Sequence, residues 1–202
     1  FTIYSYGLLV VLGFVAGIGW AALNAGGRGI EPGKVLDLSF YLVIAAIIGA
    51  RFFYVLVEFK RYLKDPVDIF RIWEGGFVFY GGLISAGIVG TGYILYHHLP
   101  HWQVMDLFAP GIALGQAIGR LGCFCAGCCY GKECHCSFGV VFRDSRSLAV
   151  LNAPLYPTQL ISSLNLFVIF FVLVWVDRKK RFDGQVFWIY VLLYAIMRFA
   201  IE

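Results

Sequence analysis

The sequence predicts an all-α fold, a polytopic membrane helix bundle, and three observations carry that prediction. Of the 202 residues 60% are hydrophobic and only 14% charged, so there is too little polar surface to cover a fold in water. Mean hydropathy is +0.80. Apolar windows of roughly 17 to 25 residues recur, each long enough to cross about 30 Å of hydrocarbon. These windows are apolar on every face, whereas barrel strands alternate apolar and polar residues over about ten positions.

Six spans are visible, near residues 3–23, 35–57, 77–96, 104–122, 158–176 and 185–202. The first reads as a true span and not a cleaved signal, because it lacks a basic leader and a small-residue cleavage site. The chain opens at Phe1 and stops at Glu202 inside a helical pattern, so both ends are expected to be trimmed and a seventh helix is expected in the full chain. The organisation predicted is a single transmembrane domain over 1–202, with an outward-facing cysteine-rich segment at about 123–157.

Orientation follows from the loops. Asp177-Arg178-Lys179-Lys180-Arg181 is short, strongly basic and lies between two spans, so the positive-inside rule assigns it to the cytoplasm. The loops at 24–34 and 97–103 then face inward as well, and the Lys60-Arg61 loop faces outward. Basic residues in the outward segments, Arg143 among them, run against that count. The net charge of +4 is spread among loops, without a basic helix interleaved with exposed aromatics. Nucleic acid is not an expected partner, whereas anionic lipid head groups are, at about 1 kcal/mol per basic residue near the surface.

Ionisable residues at membrane depth need a partner or a purpose. Arg51, Tyr54 and Glu58 share one helix face, which fits a buried interhelical pair or a pocket wall. In IWEGGFVFYGGLISAG two glycine pairs bracket Tyr80, a place for the chain to bend, to pack closely or to admit a substrate. Gly111, Gly115 and Gly119 repeat every four residues, a close-packing face that ends on Arg120. Its planar five-donor cation suits a phosphate or carboxylate. Arg198 lies in the last span with Glu202 one turn on. Those two can pair, but three arginines at membrane depth favour a shared anionic ligand.

All six cysteines fall in GRLGCFCAGCCYGKECHC, residues 119–136. Three readings stay open. Zinc could take Cys125, Cys128, Cys134 and Cys136, or His135 in place of one, although no second C-x2-C knuckle exists. In an oxidising compartment the run suits structural disulfides. A thiol near Arg120 would have a lowered pKa and be a nucleophile, and Cys123 is one helical turn from that arginine. The sequence assigns no cofactor and no metal site.

These residues resemble the prolipoprotein diacylglyceryl transferases of the bacterial inner membrane. The likeness covers Tyr6-Gly7, GARFFYV at 49–55, DPVDIFRIWEGGFVFYGGL at 65–83, the span leading to GRLG, LYPTQL at 155–160 and YAIMRFAIE at 194–202. It implies a seven-helix bundle whose cavity opens to lipid and to the outer face. It also implies transfer of a diacylglyceryl group from phosphatidylglycerol to a lipobox cysteine, forming a thioether and releasing glycerol phosphate. Carried over by position, Arg120 matches the essential arginine of the signature and Gly131 its closing glycine. Gly119 opens the same motif. Arg198, Arg51 and Tyr6 match the late-helix arginine, the second-span arginine and the first-span tyrosine. Gln159 matches the glutamine of H-P-S-Q-L, and Glu202 is grouped with the binding residues.

The departures are specific. The family signature runs G-R-x-G-N-F-x-N-x-E-x-x-G, and here Cys123 replaces the first asparagine, Ala126 the second and Cys128 the glutamate. Tyr80 stands for the histidine of G-G-x-x-F-H-G-G and Tyr156 for the histidine before the proline. The segment from Gly131 to Pro157 is short for the family. The reading ranked first is therefore a phospholipid transferase with head-group phosphate held by Arg120, Arg198 and Arg51. Base duty passes to Tyr80, Cys123 or Cys128, and the acceptor, a protein or peptide thiol among the candidates, differs from the usual lipobox cysteine. Standard lipoprotein transfer ranks second, because a tyrosine is a poor substitute for a histidine base near neutral pH. A redox or metal-binding membrane protein is the third.

Overall fold

The computed structural model describes residues 5–62, 68–69, 71, 75–134, 139–144 and 147–201, with the backbone alone at 60 and 61. Glu202, and His135 and Cys136 of the cysteine motif, lie outside the described residues. Seven helices are present among those described: α1 (Ser5–Ala25), α2 (Pro32–Val57), the single turn α3 (Phe59–Tyr62), α4 (Phe79–Tyr96), α5 (His101–Ala126), α6 (Thr158–Asp177) and α7 (Gln185–Ile201). Five of them are long and apolar enough to cross a membrane: α1, α2, α4, α5 and α6. The sixth expected span, α7, has 17 residues. The fold is all-α and polytopic, with one two-residue strand pair, β1 (Val140–Val141) against β2 (Pro154–Leu155).

The chain forms two compact units, one of Phe1–Arg28 with Trp102–Glu202 and one of Gly29–His101. In the first, α1 and α5 run antiparallel in backbone contact. A methyl group on Gly17 would lie 2.6 Å from the Gly111 carbonyl oxygen, and one on Gly13 would lie 2.7 Å from that of Gly115. In lipid, where apolar side chains gain nothing by leaving the solvent, such close approach is a main source of helix association. The expected glycine face is present at 111 and 115, but Gly119 has open space around its Cα and takes no part in it.

The other face of α5 carries Ala109, Ala113 and Ala117 with no exposed surface, packed with Leu166, Phe170 and Leu173 of α6 and with Val186, Tyr190 and Met197 of α7. Polar links fix the register: Ser163 Oγ donates to the Ala117 carbonyl at 2.8 Å and Tyr190 Oη to Gln116 Oε1 at 3.0 Å. Asp106, wholly buried, accepts the backbone N–H groups of Gly184 and Phe187 at 2.9 and 3.0 Å, and Lys180 Nζ at 3.1 Å. A carboxylate from α5 thus caps the N-terminus of α7, satisfying orphan donors and complementing the helix dipole.

That end of the unit also holds Arg28, which donates to Asp177 Oδ2 at 2.6 Å and to the Gln103 carbonyl at 3.1 Å. The segments around 28, 103 and 177–183 therefore share one end, as the loop charges suggest. The opposite end gathers the start of α1, the end of α5, the start of α6 and the end of α7.

In the second unit α2 packs on α4 through small residues. A methyl on Gly81 would lie 2.7 Å from the Gly49 carbonyl oxygen, and one on Gly82 would lie 2.9 Å from that of Ala46. Of the two glycine pairs around Tyr80, Gly81 and Gly82 are explained by this helix contact, whereas Gly75 and Gly76 lie before α4 at φ +83° and +82°.

Candidate active site

At the end of the first unit away from the basic segment lies a cavity of about 890 Å³. Arg120 enters it from α5, Ser162 from α6 and Arg198 from α7, and the chain from Cys129 to Cys134 forms another wall. Lys132 and Glu133 stand on that wall, so among the described residues three cations share the cavity with one carboxylate. Among the described residues the half-buried Arg120 guanidinium makes no hydrogen bond or ion pair. Desolvating a cation without a partner is costly, which makes Arg120 the group in this cavity most in need of an anion.

The wall is built by backbone pairing. Gly131 N–H donates to the Tyr156 carbonyl at 3.0 Å, Tyr156 N–H to the Lys132 carbonyl at 3.0 Å and Cys134 N–H to the Pro154 carbonyl at 2.8 Å. Gly131 is required by the closeness of that pairing, since a methyl there would lie 2.8 Å from Thr158 Cγ2.

α5 does not stop at Gly122, as expected, but continues to Ala126, because Tyr6 and Leu9 of α1 close over Gly122 and keep the helix packed. Cys123 and Cys125 are helical as a result. The chain then turns through Gly127 at φ +69° and Cys129 at φ +58°, the latter a left-handed conformation that costs a non-glycine residue about 1 kcal/mol. Cys128 N–H returns to the Cys123 carbonyl at 3.1 Å. Two α6 side chains hold the turn: Thr158 Oγ1 donates to the Cys129 carbonyl and Gln159 Nε2 to the Cys128 carbonyl, both at 2.8 Å.

The turn brings the Sγ atoms of Cys123, Cys128 and Cys129 within 4.8 Å of one another. These three and Cys125 are free thiols, and Cys134 is disulfide-bonded. Burial, and then the neighbouring Cys123 and Cys129 sulfurs, push the Cys128 thiol up to about 12. At neutral pH it is protonated, which corrects the expectation that it serves as a thiolate base: desolvation outweighs any help from a cation.

Arg51 also departs from expectation. It is 8% exposed, in the second unit. Its Nε donates to the Ile69 carbonyl at 3.0 Å, Nη1 to Gly75 and Gly76 at 2.6 and 3.2 Å, and Nη2 to Asp68 and Arg71 at 2.7 and 3.2 Å. All five N–H groups are committed to backbone carbonyls, and Tyr54 and Tyr62 flank the guanidinium at 5.7 and 5.6 Å. No donor is left for a phosphate, so Arg51 holds the carbonyls of Asp68, Ile69, Arg71, Gly75 and Gly76 and, among the described residues, is neither pocket wall nor half of an ion pair. Tyr80 is exposed in the first turn of α4. Tyr6 packs on Gly122, and Gln159, 1% exposed, reaches the cysteine turn; neither lines the cavity. Lys132, Glu133 and Thr158 were not assigned from the sequence. Thr158 had a signal in its place beside Gln159, whereas the other two sit in a loop whose path no periodicity describes.

Fold and cavity together define a polytopic helical membrane protein with a cationic pocket at one end of a helix bundle. The profile described as prolipoprotein diacylglyceryl transferase matches residues 1–202. A Clostridium perfringens protein named phosphatidylglycerol–prolipoprotein diacylglyceryl transferase 2 is 37% identical over 203 residues, covering 99% of this chain and 78% of that protein. Proteins named phosphatidylglycerol–prolipoprotein diacylglyceryl transferase from Clostridium tetani and Geobacter sulfurreducens are 36% and 33% identical, over 99% and 98% of this chain and 80% and 75% of their own lengths. The chain belongs to the prolipoprotein diacylglyceryl transferase family. It is a transferase and a multi-pass protein of the bacterial inner membrane.

Proposed function

We propose that this protein transfers the diacylglyceryl group of phosphatidylglycerol to the cysteine thiol of a prolipoprotein, with the lipid's phosphate held by Arg120 and Arg198. The carrying observation is the Arg120 guanidinium, without a partner among the described residues, in one cavity with Arg198 and Lys132. The relatives' names supply the two substrates and favour the usual acceptor over the divergent one ranked first from the sequence.

As the glyceryl C–O bond breaks, charge grows on the departing glycerol phosphate. Fixed guanidinium groups in a cavity of low dielectric stabilise that charge without reorganising. About 890 Å³ lies within the range of roughly 300 to 1,000 Å³ usual for small-ligand sites, room for a head group while the acyl chains stay in lipid. Gly131 and Gly119 keep backbone close and open, respectively, around the arginine. Tyr6 and Gln159 act as supports, on Gly122 and on the cysteine turn, and Tyr80 in the second unit stands where the family carries its histidine. With the basic segment 177–181 in the cytoplasm, the cavity at the other end faces outward.

The test is reconstitution of the full chain in phosphatidylglycerol vesicles with a lipobox peptide, following glycerol phosphate release and thioether formation. Arg120→Ala is expected to lower turnover by about 100-fold or more, with Arg120→Lys intermediate. An inactive wild type sinks the transferase reading, and an Arg120→Ala variant at wild-type rate removes the arginine from it.

A further inference from the structure

The three clustered thiols lie in the last turn of α5 and the turn that follows it, Cys123 and Cys128 where the family signature carries an asparagine and a glutamate, and the cluster reaches the cavity through Cys129, which lines it together with Arg120. Their Sγ atoms lie within 4.8 Å of one another, and three sulfurs bound to one zinc at 2.3 Å in tetrahedral directions are about 3.8 Å apart. The gap to be closed is at most about 1 Å. The backbone beneath is already fixed, through Cys128 N–H on the Cys123 carbonyl, and through Thr158 and Gln159 on the carbonyls of Cys129 and Cys128. A strained left-handed residue at Cys129 is also a cost that a ligand-binding turn has reason to carry.

We propose that Cys123, Cys128 and Cys129 bind a single zinc(II) ion whose fourth position, at the cavity edge, takes the acceptor thiol. Among the described residues the group contains three ligands and no fourth His, Cys, Asp or Glu. Three protein ligands with an open position is the arrangement of catalytic zinc, whereas structural zinc is closed by four. Three thiolates leave the zinc site with one net negative charge, next to the cations Arg120, Lys132 and Arg198.

The second half of the proposal rests on the transferase reading above. A thiol that coordinates zinc loses its proton, here to solvent, and becomes a nucleophile near neutral pH without a protein base. Its sulfur attacks the glyceryl carbon that bears the phosphate ester oxygen. The C–S bond forms as the C–O bond breaks, the electron pair leaves on glycerol phosphate, and nothing is oxidised or reduced. The neutral thioether is a weak zinc ligand and departs. This assigns chemistry to the substitutions of the family's first asparagine by Cys123 and of its glutamate by Cys128.

The test uses the full chain purified in detergent under reducing conditions. Elemental analysis after zinc loading and removal of loose metal is expected to give an equimolar amount of zinc. Cys123→Ser, Cys128→Ser and Cys129→Ser should each lose it, and the exposed Cys125→Ser should keep it. Cobalt(II) in place of zinc needs no variant: the wild type should show sulfur-to-cobalt charge-transfer bands that strengthen when a lipobox peptide is added and not when its cysteine is serine. Folded wild type without zinc, or zinc retained in all three variants, overturns the site. A cobalt spectrum indifferent to the peptide thiol overturns the fourth position. Full turnover in chelated, zinc-free protein sinks the proposal and leaves the transferase reading standing. Zinc and a responsive cobalt spectrum without turnover do the reverse.

Discussion

The carboxylate of Asp106, in the first turns of α5, accepts the backbone N–H of Phe187, in the first turn of α7, at 3.0 Å. A side chain thus starts a helix 81 residues further along the chain, and the two helices are locked at one end while Arg120 and Arg198 line one cavity at the other.

Removing that carboxylate leaves two N–H groups and Lys180 without their acceptor in a buried place. Asp106→Ala is expected to destabilise the folded chain by about 2–4 kcal/mol, and Asp106→Asn, which keeps one acceptor, by less. Thermal unfolding in detergent, followed by the tryptophan fluorescence of the intact chain, measures both.

The α1–α5 crossing tolerates no side chain at its centre. Gly17→Val or Gly111→Val is expected to cost about 1–3 kcal/mol or to separate the helices, because the atom in the way is a backbone carbonyl and cannot swing aside. Gly19→Ala, with nothing within 4 Å, is expected to be neutral or mildly stabilising in the same melting assay.

Arg51→Lys replaces five fixed donors by three and is expected to behave as a stability variant. Arg51→Ala should cost about 3 kcal/mol or more and loosen the backbone at Asp68, Ile69, Gly75 and Gly76, which limited proteolysis would read. Phosphatidylglycerol affinity per folded molecule should not change, since every N–H of Arg51 already faces a carbonyl oxygen.

The raised Cys128 thiol fixes a pH dependence. An acid whose folded pKa lies above its unfolded value contributes stability that is complete below the unfolded value and is lost as pH rises through the folded one. Here the window runs from the ordinary 9.0 to about 12. In chelator-treated protein at pH 8, alkylation of Cys128 should be about a thousandfold slower than that of an ordinary thiol. It should accelerate steadily with pH across that window, as mass spectrometry of the labelled peptide would follow.

The helices were legible to within a few residues, because a chain that must bond its own backbone in lipid has little choice but to be helical where it is apolar. The end of α5 was not. Gly122 looks like a stop, yet the helix runs on through the first two thiols with Tyr6 and Leu9, more than a hundred residues earlier, packed against it. Arg120 and Arg198 stand out through the resemblance, and the two line one cavity. Arg51 misled because its partners are carbonyl oxygens, which every residue has and no sequence pattern marks. The thiol cluster was hidden for a related reason: spacings of five and one match no metal knuckle, and become a triangle only when a helix end and a left-handed turn fold the chain back on itself. Asp106, a lone acid in an apolar run, was passed over, its partners being amides 78 and 81 residues away.

Thr158 and Gln159, which grip the carbonyls of the cysteine turn, open the same helix that presents Ser162 to the cavity one turn later. The Ser162 wall of the cavity and the thiols are therefore bolted to one beam, and a tilt of α6 carries the sulfurs with it in step. Loosening a bolt, as in Gln159→Leu, should leave the lipid's grip intact while the reacting groups lose their alignment, a fault that shows in kcat and not in KM.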